Sequence, residues 1–86
     1  MKYQITLTKR ALKEFEYFKK HNEEIFRKII TLLKIIENDP LDKGSKTELL
    51  KFELSGCRSK RITKEHRLVY KIEGHNIIIF SCRYHY

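Results

Sequence analysis

Eighty-six residues make one small domain, with no room for a second core. Nineteen Lys and Arg against eleven Asp and Glu give a formal charge of +8, and 41% apolar residues with only three Gly and one Pro exclude collagen-like, linker-like and disordered chains. The longest apolar runs, such as Ile77-Ile78-Ile79-Phe80, fall far short of the ~18 residues of a membrane span, so no membrane partner is expected.

Met1-Lys2-Tyr3 leads straight into Tyr3-Gln4-Ile5-Thr6-Leu7, which alternates apolar and polar residues like a half-buried strand, so no leader peptide is expected. Thr8 is a cap for a helix over residues 9–20, where Leu12, Phe15 and Phe18, joined by Ala11, recur at helical spacing. Asn22 then caps a second helix, with Glu23 and Glu24 in its first turn and Ile25, Ile29, Leu32, Leu33 and Ile36 on one face, ending before Asp39-Pro40. The pair reads as a helical hairpin that needs a sheet to cover. Residues 40–46 read as a loop. Leu49, Leu50, Phe52 and Leu54 are interleaved with charge, and their secondary structure stays open. Three strands follow: 57–63, then 66–72 with Leu68, Tyr70 and Ile72 on its apolar face, then 77–83, the most apolar and expected near the centre. The order predicts an α+β fold: an N-terminal strand, two helices and a three-stranded meander, the helices packed on one face of a mostly antiparallel sheet. Arg67 falls on the other face.

The charge is uneven. Residues 44–86 hold nine basic and four acidic residues, net +5, against ten and seven, net +3, in the first half. A basic second half suits a polyanion such as nucleic acid, although a merely cationic surface reads the same way. On the open sheet face stands Arg67, joined by Arg61 from the next strand. Glu48 and Lys51 lie where the chain enters the sheet, and His85 and Tyr86 where it leaves. A carboxylate, an imidazole and guanidinium groups suit cleavage of an RNA phosphodiester, which needs a base, an acid and cations to hold the charge on the phosphoryl oxygens. RNA carries its own 2′-hydroxyl nucleophile, so no metal or other cofactor is expected. Tyr84, Tyr86 and Phe52 are candidates to stack on unpaired bases. Lys46, Lys60 and Lys64 are candidate phosphate contacts. Each residue also has a structural reading: Glu48 as a solvated carboxylate, Arg67 as an edge charge, His85 as part of a frayed tail. His66 reads as structural, His21 and His75 as solvated turn residues, Cys57 and Cys82 as small buried thiols suited to a reducing cytoplasm. From the residues alone, this is a basic α+β domain that binds or cuts nucleic acid.

Glu48-Leu49-Leu50-Lys51, Leu54-Ser55-Gly56, Ser59-Lys60-Arg61-Ile62-Thr63, Glu65-His66-Arg67-Leu68-Val69-Tyr70 and the final Cys82-Arg83-Tyr84-His85-Tyr86 resemble the Txe/YoeB family of bacterial toxins, within the RelE/ParE superfamily. The resemblance spans essentially the whole chain. It implies a RelE-like fold and a ribosome-dependent mRNA endonuclease, neutralised by an acidic antitoxin and commonly homodimeric. It further implies Glu48 as general base, His85 as general acid, Arg67 as transition-state stabiliser, Tyr86 as a positioner of the scissile phosphate, and Lys51 and Arg61 as phosphate supports. Cys57 and Arg58 stand where family members often carry bulky aromatics, and Thr47 and Leu49 where they often carry prolines. The rivals are a basic module that occupies RNA or the ribosome without cutting, and a gyrase-directed toxin on the same fold.

Overall fold

A computed structural model describes residues 2–41, 47–49 and 56–83, with 47–49 described by their backbone. The chain runs β1 (Gln4–Leu7), α1 (Lys9–His21), α2 (Glu23–Asn38), β2 (Thr47–Leu49), β3 (Cys57–Arg61), β4 (Arg67–Glu73) and β5 (Asn76–Ser81). The strands form one sheet in the order β1-β5-β4-β3-β2. Only the β1–β5 pair is parallel among these neighbours, so the sheet is mostly antiparallel, as the sequence predicts. The segment whose structure stayed open from sequence contributes β2, a short edge strand ahead of the meander. β5 is an interior strand, and β4 holds the middle.

Single side chains set the helix boundaries. The Thr8 hydroxyl accepts from the Ala11 N–H at 3.2 Å and starts α1. Asn22 serves both helices: its N–H donates to the Phe18 carbonyl at 2.8 Å, and its Oδ1 accepts from the Ile25 N–H at 3.2 Å. Lys19, Lys20 and His21 end α1 and Glu23 and Glu24 begin α2, so both dipoles meet complementary charge at this corner. Ala11 and Phe18 from α1, and Ile29, Leu32 and Ile36 from α2, close over Leu68, Tyr70, Ile77 and Ile79 of the sheet. The buried stripe of α1 is Ala11, Phe15 and Phe18. Leu12, expected within it, is 46% exposed, because it lies one helical step aside from that line. Gly74, at φ +58°, opens the two-residue loop between Glu73 and Asn76, a conformation that disfavours side chains with a Cβ.

Candidate active site

The candidate groups within the described residues are carried by strand ends. β3 ends at Arg61, β4 begins at Arg67, and the ladder sets these two directly opposite one another. Leu68 and Tyr70 face the helices, so alternation turns Arg67 to the open face. Arg61 is exposed, whereas Arg67 is half-buried with its Nη1 shielded from solvent. The ladder thus sets two cationic residues on one row of the open face.

Two other segments converge on the same end of the sheet. Glu48 stands opposite Ser59, and Ser59 opposite Val69, a ladder row two residues from the arginine pair. Val69 is in turn opposite Ser81, so the chain leaves β5 at the end where Arg67 begins β4. Cys82 and Arg83 follow. Tyr84, His85 and Tyr86 lie outside the described residues, as do Lys46, Lys51 and Phe52.

Between the arginines and the far end of this face, Cys57, Val69 and Phe80 form a small apolar cluster. Thus Cys57, at one of the two positions where the family often has aromatics, packs inside this cluster. Ser59 is fully buried beside it, and its hydroxyl has no hydrogen-bond partner among the described residues. Lys60 departs from expectation. It is 0% exposed, on the helix-covered face, with Leu68 as its ladder partner. Alternation from the outward Arg61 puts position 60 on the core side, so this ammonium is removed from the surface a phosphate would approach. His66 is structural as expected: its ring meets Phe18 edge-on at 5.0 Å, and its N–H donates to the Thr63 hydroxyl at 3.1 Å. A cleft of about 540 Å³ beside α2 is bordered by Arg27, Lys28, Ile62 and Thr63, and Arg67 is not among its described lining residues.

The segment leaving β5 is tied to α1 by contacts that carry no local sequence signal, because the partners lie 68 positions apart. The Cys82 N–H donates to Glu14 Oε1 at 2.9 Å, and the Arg83 guanidinium sits 3.8 Å from the centre of the Tyr17 ring. Cys82 is buried as expected. Burial pushes its thiol up to about 12, with the Glu14 charge adding to the rise and Arg10 opposing it. It stays neutral and is no nucleophile at ordinary pH. Among the described residues, no group of three His, Cys, Asp or Glu side chains is arranged to hold a metal.

Residues 7–86 match the model of the YoeB-like toxin of bacterial type II toxin–antitoxin systems. The chain belongs to this family. Toxin YoeB of Synechocystis sp. is 40% identical over 82 residues, covering 95% of either chain. The YoeB dimer from Staphylococcus aureus superposes with a TM-score of 0.89 at 39% identity, and the YoeB–YefM complex from the same organism with 0.86 at 41%, each covering all of both chains. The expected YoeB-type toxin on a RelE-like fold is thereby met. The match also runs through every segment on which the resemblance rested, Glu48 to Lys51 and Cys82 to Tyr86 included.

Proposed function

We propose that this toxin is a ribosome-dependent endoribonuclease that cuts mRNA in the decoding site by metal-independent acid–base chemistry. The observation that carries the reading is the Arg61–Arg67 cross-strand row, at the sheet end where Glu48 enters and from which the chain runs on to His85 and Tyr86. A scissile phosphate bound there meets two cationic side chains from adjacent strands. Arg67, the less exposed of the two, holds the charge that builds on the phosphoryl oxygens as the bond breaks. Glu48 takes the proton from the 2′-hydroxyl, that oxygen attacks the adjacent phosphorus, and His85 protonates the departing 5′-oxygen. Imidazole suits this last step because it exchanges protons near neutral pH. Tyr86 orients the phosphate. Lys46, Lys51 and Tyr84 extend the RNA contact, Tyr84 by stacking. A lone carboxylate is a weak base, so the ribosome supplies the alignment of the 2′-hydroxyl, and naked RNA is a poor substrate.

The partner is an acidic antitoxin, as suggested by the staphylococcal relative solved with YefM, and its carboxylates engage the basic sheet end. The dimer of that relative supports a homodimer here as well.

Single-turnover cleavage on mRNA-programmed ribosomes tests the reading. The expected products are a 2′,3′-cyclic phosphate and a 5′-hydroxyl. Arg67→Ala lowers the saturated rate at least ~100-fold, and a 2′-deoxy sugar at the cut site leaves the message intact. Cleavage of the deoxy message, or fragments with a 5′-phosphate, overturns the mechanism. Ribosome binding without any cleavage makes the chain a binding module.

A further inference from the structure

Besides its ladder with β4, the end of β5 is held among the described residues by Thr8 and by a row of α1 side chains and backbone groups at three-residue steps. The Thr8 hydroxyl, at its cap, donates to the Phe80 carbonyl at 3.2 Å. One turn on, the Ala11 carbonyl accepts from the Cys82 thiol at 3.8 Å. Glu14 accepts the Cys82 N–H, and Tyr17 lies under the Arg83 guanidinium. Steps of three residues put each group on the turn after the last, in a row that winds around the helix from the buried Ala11 to the exposed Tyr17. The Glu14 carboxylate is itself steered by Arg10, whose Nε donates to Oε2 at 3.1 Å. A backbone N–H beyond a strand end is ordinarily met by a carbonyl or by water. Here a carboxylate with 14% side-chain exposure takes it, a charge-assisted bond stronger than a neutral one.

We propose that Glu14 and Tyr17 are positioning residues for the reaction: together they fix the direction in which the chain leaves β5, and with it the station of His85 and Tyr86. The inference rests on the acid–base reading above. His85 follows Arg83 by two residues, within about 7 Å of chain. A turn of the backbone at Arg83 therefore swings the imidazole by ångströms, a displacement that proton transfer does not tolerate. Tyr17 is 38% exposed, so the fold has little need of its ring as core filling. Its exposed face serves instead as a seat for the guanidinium.

The test uses the whole toxin with Tyr17→Leu, which removes the aromatic seat, and Tyr17→Phe, which keeps it. On programmed ribosomes, Tyr17→Leu lowers the saturated single-turnover rate about 3- to 30-fold, the range a cation–π contact spans, with ribosome affinity and melting temperature near wild type. Tyr17→Phe restores most of the rate. In the free toxin, backbone amide spectra report the same clamp without any substrate: the 82–86 resonances move in Tyr17→Leu but not in Tyr17→Phe. Wild-type rate and wild-type 82–86 resonances in Tyr17→Leu overturn the proposal, as does an equal loss in both variants. His85→Gln, assayed alongside, separates the two failures. If it cuts like wild type, the acid assignment falls, while the spectra still decide whether Tyr17 steers the segment.

Discussion

Tyr70→Phe removes a single oxygen from the middle of the sheet and measures how firmly the chain after α2 is fastened to it. The Tyr70 side chain is 0% exposed, and its hydroxyl donates to the Pro40 carbonyl at 2.9 Å across thirty residues of sequence. Phenylalanine fills the same space, so no cavity forms and the packing against Ile79 and the helices is retained. The loss includes this bond, with a carbonyl on the buried Pro40 left short of a donor. Such an exchange costs about 2 kcal/mol, the middle of the range for leaving a buried acceptor without its donor. For a domain of this size each kcal/mol moves the melting temperature by about 4–8 °C, so a drop of about 8–16 °C is expected. Thermal and urea melts followed by far-UV circular dichroism read it, and the urea slope should stay unchanged because the same surface unfolds. A melting temperature within ~2 °C of wild type would refute the reasoning and show that Pro40 is satisfied in another way.

Ser59→Ala is expected to stabilise the toxin, by about 1 kcal/mol in urea denaturation, because it removes a buried hydroxyl that lacks a partner among the described residues. A loss of stability would mean that the hydroxyl is bonded in solution. Alkaline stability carries the mark of Cys82: its thiol ionises near 9 when unfolded but only at about 12 when folded. The folded state therefore keeps a proton that the unfolded state sheds, and stability falls as pH rises from 9 toward 12. Cys82→Ala should flatten that part of the pH profile relative to wild type, and identical slopes would remove Cys82 from the account.

The parts of the fold that could be read from sequence are those whose periodicity is long enough to be unambiguous. Both helices and the last two strands announce themselves through apolar spacing, and Thr8 and Asn22 mark their helix starts by chemistry alone. β2 is three residues long and sits at a sheet edge among charges, so no period can establish itself there. Lys60 misled because a lysine in an alternating strand suggests solvent, although its neighbours Arg61 and Ile62 already fix its face. Arg67 could be assigned to the open face from alternation within one strand. The alignment of Arg61 with Arg67 depends on the turn between β3 and β4, whose sequence does not specify the register. Glu14 and Tyr17 gave no signal, because each is an ordinary outward residue of an amphipathic helix until the end of β5 arrives beside it.

The parallel pairing of β1 with β5 makes this toxin a late assembler. β1 leaves the peptidyl-transferase centre early, yet its ladder partner among the described residues is β5, and the Thr8–Phe80 bond spans 72 positions. At about 5–20 residues per second, synthesis of that interval takes several seconds, during which β1 has no strand to pair with and α1 no β5 to close upon. Contacts of such separation also form slowly once both halves exist. The arginine row of β3 and β4 can form before this closure, but the exit from β5 cannot be held by α1 until it happens. A chain built in this order completes its sheet only after its last strand has been made.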